Sequence, residues 1–327
     1  MFDFVVGSPI NIALILGAVL FVTTMLIWIE RRFLGFFSER LGPNRVGPWG
    51  SFQSFADVIK LITKEDWTPP FADKPTFIIA PLIVPIAMLL SFAVVPIAPG
   101  VGIMDLNIGL LWIMAMAGLA AYSAMLGGLA SNNKFALLGG LRAAGQMISY
   151  EVFMGISMLG IVILADSFNM RTIVEAQEDQ WFIIPQFFGF IVFMVAALAE
   201  TKRWPFDLAE GESEIISGFN TEYSGMKFGL FFVGEYIGML LMSVLIPVLF
   251  FGGWHAPFGL DLPWPIISGV FWLSVKIGAF VIFFILVRAA LVRPRYDQLM
   301  NYGWLVMLPL SLVNLLVTGA IVLTQGG

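Results

Sequence analysis

Hydrophobic positions in this chain run in long unbroken stretches, and the charged positions gather in the gaps between them. A stretch of about 20 apolar residues is what an α-helix needs to cross the hydrocarbon of a bilayer. Eight such spans are predicted, near 9–29, 76–98, 108–130, 147–166, 183–201, 228–252, 265–288 and 303–324. A different period appears in the first gap. Phe52, Phe55, Ile59 and Ile62 recur every three or four residues, with Gln53, Asp57, Lys60 and Lys64 on the other faces. That is the pattern of a short amphipathic helix lying in the membrane interface. The expected fold class is an all-α integral membrane protein with about eight transmembrane helices plus short amphipathic interfacial helices. It forms a single polytopic domain over 1–327, with larger loops near 30–75, 131–146, 202–227 and 289–302.

Composition agrees with the pattern. The chain is 59% hydrophobic with a mean hydropathy of +0.92, above the roughly half-apolar content of soluble domains. The run from Ile10 to Glu30 has no basic segment before it and no small-residue cleavage site, so it reads as a retained first helix. A net charge of −5 is too small to imply a partner by itself, and nothing in the chain suggests nucleic acid. With no cysteine, the chain supplies no iron–sulfur, disulfide or thiolate-zinc ligands, and its one histidine, His255, cannot give bis-histidine haem ligation. Any redox role therefore takes its electrons from another subunit. No metal site is expected.

The gaps assign a side. Those after spans one, three, five and seven hold fifteen of the seventeen Lys and Arg residues, leaving only Arg171 opposite and Lys276 inside span seven. The positive-inside rule puts these loops in the cytoplasm and both termini on the outer side.

The densest gap is AETKRWPFDLAEGESEIISGFNTEYSG, residues 199–225. It carries Glu200, Asp207, Glu210, Glu212, Glu214 and Glu222 beside Lys202 and Arg203. Carboxylates crowded against a low-dielectric wall keep protons to higher pH and titrate as a group. Glu210 and Glu214 stand four apart and are expected to share a helix face. The two readings are a protonatable loop facing a partner and a merely solvated acidic loop. Glu151 in span four, Glu235 in span six and Lys276 in span seven are intramembrane ionisable groups, which mark functional sites by default. Glu235 and Lys276 have depths that would allow a pair. Arg288, Arg293 and Arg295 face the acidic loop from the same side, so ion pairs across the loops are expected, Arg293 with Glu212 among them. Charge is concentrated in the cytoplasmic halves of the spans, which disfavours a lone pump, because a proton wire needs titratable groups or water at short intervals.

Five blocks carry a resemblance: ERRFLGFFSERLGPNRVGP, FADVIKLITKED, LRAAGQMISYE, the acidic 199–225 segment and RPRYDQLM. In order, from about residue 28 to 310, they resemble the quinone-chamber membrane subunit (the H subunit) of proton-pumping NADH:quinone oxidoreductase, respiratory complex I. The resemblance implies a quinone tunnel walled by Glu30, Arg31, Arg40, Phe52, Phe55, Asp57, Ile59, Glu200, Arg203 and Asp207. It implies a proton-coupling route through Glu210, Glu212, Glu214, Arg142, Glu151, Glu235 and Lys276, with Arg293 and Arg295 in loop ion pairs. The chain itself would bind no cofactor. Quinone would be the substrate, with FMN and iron–sulfur clusters in partner subunits of a hydrophilic arm. Antiporter-like and small membrane-arm subunits and membrane lipid would be its other neighbours, in the bacterial cytoplasmic (inner) membrane. Lys202, Trp204, Val292 and Leu305 depart from residues common in that family.

Two other classes are weighed. A membrane-bound hydrogenase-type complex has a related subunit, but it keeps RLGPNRVGP and PFDLAEGESE less faithfully. A stand-alone secondary transporter should show inverted repeats and helices broken at the midplane, and no such repeat is visible.

Overall fold

The computed structural model describes residues 9–260 and 262–325, the side chains of Glu212, Ser213, Phe258 and Gln325 excepted. Its helices are α1 (Pro9–Phe37), α2 (Gln53–Thr63), α3 (Lys74–Ser91), α4 (Gly109–Ala130), α5 (Lys134–Ala165), α6 (Met170–Glu175), α7 (Phe187–Glu200), α8 (Glu212–Ile215), α9 (Gly225–Phe250), α10 (Pro265–Ala290), α11 (Tyr296–Tyr302) and α12 (Leu308–Gln325). A π-helical turn, Gly303–Met307, joins the last two into one rod. No strand forms among the described residues. Among the described residues, seven of the helical rods are long and apolar enough to cross a membrane, and α7 is a shorter apolar helix. The chain is an integral membrane protein.

The layers follow from burial. In α9, 83% of the spanning window is buried, against 17% in α1 and in the rod ending in α12. Thus α9 is the axis, packed by α1, α3, α7 and α10, while the outer helices turn apolar faces such as Leu14, Phe21, Leu316 and Leu323 away from the chain. A helix apolar all round is stable there because both lipid and neighbouring helices accept it.

Three expected boundaries move. Span one was expected to end near 29, yet α1 continues to Phe37 and takes Glu30 inside, 2% exposed. The reason is tertiary: two arginines from elsewhere meet that carboxylate. The expected loop 131–146 is helix from Lys134 onward, with the Asn133 side chain accepting from the Phe135 N–H as cap. Gly139, Gly140 and Gly145 look like loop residues, but here they let helices approach closely. A Cβ at Gly139 would stand 2.5 Å from the Cα of Gly218, where the acidic segment crosses α5. Span five, expected over 183–201, is helical only from Phe187, with Pro185 in the turn that precedes it.

Buried glutamines tie the broken ends down. Gln177 donates to the carbonyls of Ile173 and Val248 and accepts from the N–H groups of Phe182 and Gly252. Gln186 accepts from Asn314 and donates to Thr318, which fastens α12 to the start of α7. Gln146 donates to the carbonyls of Ala199 and Phe206 at the far end of α7. Backbone groups freed at membrane depth must find partners within the protein, and Gln177 and Gln146 supply them.

Candidate functional site

An apolar cavity of about 660 Å³ opens between α1, α9 and α10 and the segment after α3, within the usual size range of ligand sites. Its walls include Leu14, Val19 and Phe33 of α1, Leu240 and Val244 of α9, and Val281 of α10. Along the same three helices, toward the charge-rich end, Glu30, Met239 and Arg288 line the next small cavity together with Arg203. There Arg203 donates to both Glu30 oxygens, at 3.0 and 3.1 Å, and Arg288 donates to the same carboxylate. The Arg203 guanidinium also lies 3.8 Å from the centre of the Tyr236 ring. The apolar cavity and the ion-paired cluster are thus lined by neighbouring residues of the same helices, Ile29 beside Glu30 and Leu240 beside Met239. Helix order explains the placement: α1 and α10 run their charged ends to the level where the turn after α7 delivers Arg203.

The amphipathic α2 packs on α1 and α9. Arg31 donates to Asp57 at 2.5 Å, and Gln53 and Lys60 also reach that carboxylate. Burial works against the charged form of Asp57, but the Arg31 hydrogen bond and charge, with Gln53 and Lys60, outweigh it and hold the carboxyl below its ordinary value. Phe52, Phe55 and Ile59 are exposed on the other face, open to lipid or to a guest. Arg40 sits in the rigid turn beyond α1, beside Leu34, Leu41 and Pro43 in an open pocket of about 310 Å³.

A second charged group lies deeper along α9. Glu200, Lys202 and Glu235 line one cavity of about 10 Å³, with Lys202 Nζ 3.6 Å from Glu235 Oε1. Both oxygens of Glu200 lack a hydrogen-bond partner. Glu151, half-buried on α5, lies against Gly118 of α4, where a Cβ would stand 3.1 Å from its carboxylate oxygen. No group of three or more potential metal ligands occurs among the described residues.

The acidic segment folds as turns around a single short helix. Glu210 precedes α8 and accepts from Asn220 at 2.6 Å, while Glu214 within α8 meets Arg142 at 2.5 Å. The expected shared helix face for Glu210 and Glu214 is thus absent, because Gly211, with φ +44°, turns the chain between them. Asp207 is pushed up to about 7, first by burial and next by Glu210, with Arg293 and Arg288 pulling the other way. The segment is held in place by Gly218: its φ is +54°, and a Cβ there would lie 1.8 Å from the Ala209 carbonyl oxygen.

Two expected pairings fail. Lys276 does not meet Glu235. Its ammonium donates to the carbonyls of Phe251, Gly253 and His255, at 2.7, 2.9 and 2.7 Å, and lies 4.7 Å from the Trp181 ring centre. The loop after α9 folds inward to reach it, so Lys276 belongs to the charge-poor end, about 22 Å along α9 from Glu235. Arg295 pairs locally with Asp297 at 3.1 Å rather than across loops. Arg293 does reach the acidic segment, through the backbone carbonyl of Asp207. The side chain of its expected partner, Glu212, lies outside the described residues.

Some site members were not expected. Arg288 and Tyr236 join the Glu30 cluster, and Trp204 donates to the Leu291 carbonyl, with Arg293 5.9 Å from its ring centre. Only the presence of Arg288 among the loop arginines, and of Tyr236 beside Glu235, hinted at them. Val292 and Leu305 stand exposed, at 86% and 73%.

Comparison with known proteins gives the same family twice. The family model described as NADH dehydrogenase matches residues 10–319. The H subunit of NADH-quinone oxidoreductase from Methylococcus capsulatus is 58% identical over 316 residues, which cover 97% of this chain and 98% of that protein. Seven long spans, one short apolar helix and near full-length identity together establish that the chain belongs to the NADH-quinone oxidoreductase H-subunit family, the membrane subunits of complex I.

Proposed function

We propose that this chain forms most of the membrane chamber in which a lipid-soluble quinone is reduced, and that its charged clusters link that reduction to proton translocation. The observation that carries the reading is that the 660 Å³ apolar cavity and the Glu30–Arg203–Arg288 cluster are lined by neighbouring residues of the same three helices. An isoprenoid tail gains free energy from leaving water for such walls, whereas a polar quinone headgroup needs donors and ordered charge. The chain offers the walls and the charges but no electron carrier, so electrons come from neighbours. Those neighbours are hydrophilic-arm subunits carrying FMN and iron–sulfur clusters, docked at the charge-rich loops. The antiporter-like and small membrane-arm subunits contact its lipid-level faces. The bacterial cytoplasmic membrane, with both termini outside, is the location that the Lys and Arg distribution supports.

In this reading Arg31, Asp57, Phe52, Phe55 and Ile59 flank the mouth, with Arg40 beside it. Glu30 and Arg203 stand where the headgroup passes. Charge changes on reduction reach Asp207, Glu210 and Glu214 of the acidic segment, then Glu200, Glu235, Glu151 and Arg142. Reduction of a quinone to quinol takes two electrons and two protons, and removing those protons from the site perturbs the buried carboxyls by ordinary electrostatics.

A quinone analogue with a photoreactive group on its tail tests the reading in the assembled complex. Labelling should fall on α1, α9 and α10 around Val19, Leu240 and Val281, and excess native quinone should suppress it. Labelling confined to other subunits, or to helices remote from this cavity, overturns the assignment.

A further inference from the structure

Lys202 is a buried cation that serves neither the chamber wall nor the loop pairs. It occupies the turn after α7 with a left-handed backbone, φ +49°, a conformation that a side-chain-bearing residue holds only when its surroundings enforce it. Its side chain is 4% exposed and reaches into the small cavity that α3, α4, α5, α7 and α9 enclose. Two carboxyls line that cavity. Glu235 comes from α9 and Glu200 from the end of α7, the latter 2% exposed with both oxygens unpartnered.

The distances describe an uncommitted cation. Its ammonium stands 3.6 Å from Glu235 Oε1, longer than the ~2.8 Å of a charge-assisted hydrogen bond, and 4.8 Å from the centre of the Phe219 ring. The other cation nearby, Arg203, is engaged by both oxygens of Glu30. At about 10 Å³ the cavity is at the lower limit for a single water, so water cannot solvate an extra charge. Glu151 lies within electrostatic reach of Glu200, and Glu210, Asp207 and Arg203 within reach of Glu235, but of the groups that line the cavity itself only Lys202, Glu200 and Glu235 are ionisable. One cation and two carboxyls are neutral only when one carboxyl carries a proton.

We propose that Lys202 is a movable counter-charge shared by Glu200 and Glu235. In the arrangement seen here it faces the Glu235 carboxylate while Glu200 holds the proton. In the alternative, the Glu200 proton has passed to Glu235 through the one water that the cavity has room for, and the ammonium turns to the Glu200 carboxylate. Lys202 keeps its own proton throughout, and the cavity stays neutral in both states. This positioning role rests on the proton-coupling reading, because it supplies the step by which a proton crosses from α7 to α9.

The test uses the whole complex in inside-out membrane vesicles. Lys202→Met and Lys202→Arg are made alone, and Lys202→Met is combined with Glu200→Gln or Glu235→Gln. Assembly is read from subunit content and from NADH oxidation by an artificial acceptor. Coupling is read as vesicle acidification per NADH oxidised by quinone. Lys202→Met leaves an unbalanced buried charge and should lower assembled complex by about three-fold or more. Either glutamine replacement should restore assembly, because the cation serves both acids, yet in both double variants acidification per NADH should fall by about two-fold. Lys202→Arg should keep assembly. Rescue by Glu235→Gln alone, or an unchanged acidification ratio in every assembled double variant, overturns the proposal and makes Lys202 a static strut. Single Glu200→Gln and Glu235→Gln variants that both pump normally would instead sink the proton-coupling reading itself.

Discussion

Glu30 ties the ends of three elements together, because its buried carboxylate meets the buried Arg203 and the more exposed Arg288. Removing one member of a buried ion pair leaves the other desolvated and unpaired, at about 3–5 kcal/mol. Arg203→Ala leaves Glu30 with Arg288 as its remaining partner, so it should destabilise the subunit by less than that, about 1–3 kcal/mol, and lower quinone-linked turnover by about ten-fold or more. Thermal denaturation of the purified complex and a quinone reductase assay measure the two effects. NADH oxidation by an artificial acceptor should survive in whatever complex assembles. Asp207 gives a pH prediction. Its carboxyl is raised from 3.8 to about 7, so the folded chain holds a proton that the unfolded chain has released across that interval. Its contribution to stability is full below pH 3.8 and is lost as the pH rises through about 7. Quinone reductase activity should accordingly show a titration step near neutrality that Asp207→Asn removes, and a pH–rate profile unchanged by that substitution would count against the role.

Elements owe their ends to specific partners. The last turn of α9 points carbonyls into apolar surroundings, and Lys276 satisfies the turn beyond it by donating to Phe251, Gly253 and His255. A cation at a helix C-terminus is favoured by the macrodipole as well as by these bonds. Lys276→Met should cost about 1–3 kcal/mol of stability, from the carbonyls it leaves bare, without changing protons moved per NADH. A changed stoichiometry in stable Lys276→Met complex would return this lysine to the proton route. On the opposite side of the fold, α5 spans 32 residues because its glycines face other helices closely enough that no loop is needed. Its continuity places Arg142 and Glu151 on one rod, so that the Arg142–Glu214 pair fastens the acidic segment to the helix that carries Glu151.

Across the whole molecule, the chamber exists because α1 packs on α9 and α10 without filling the space between them. Narrowing that space should discriminate between substrates by tail length. Val244→Trp should raise the KM for a long-tailed quinone by about ten-fold and leave a short-tailed analogue within about two-fold, since only the former must thread the apolar walls. Equal effects on both analogues would indicate a general packing defect.

Span number, membrane residence and the amphipathic α2 were legible in the one-dimensional pattern, because burial in lipid acts on each helix separately and leaves its period in the residues. The signature blocks likewise marked where buried charge gathers, through Glu30 and the acidic segment. What the chain order does not encode locally is which charge meets which. Lys276 was expected to find Glu235 and instead found three carbonyls, while Glu30 drew arginines 173 and 258 positions away. Such pairings depend on where distant helices bring their ends, and only the tertiary packing around α9 brings those ends to a common depth.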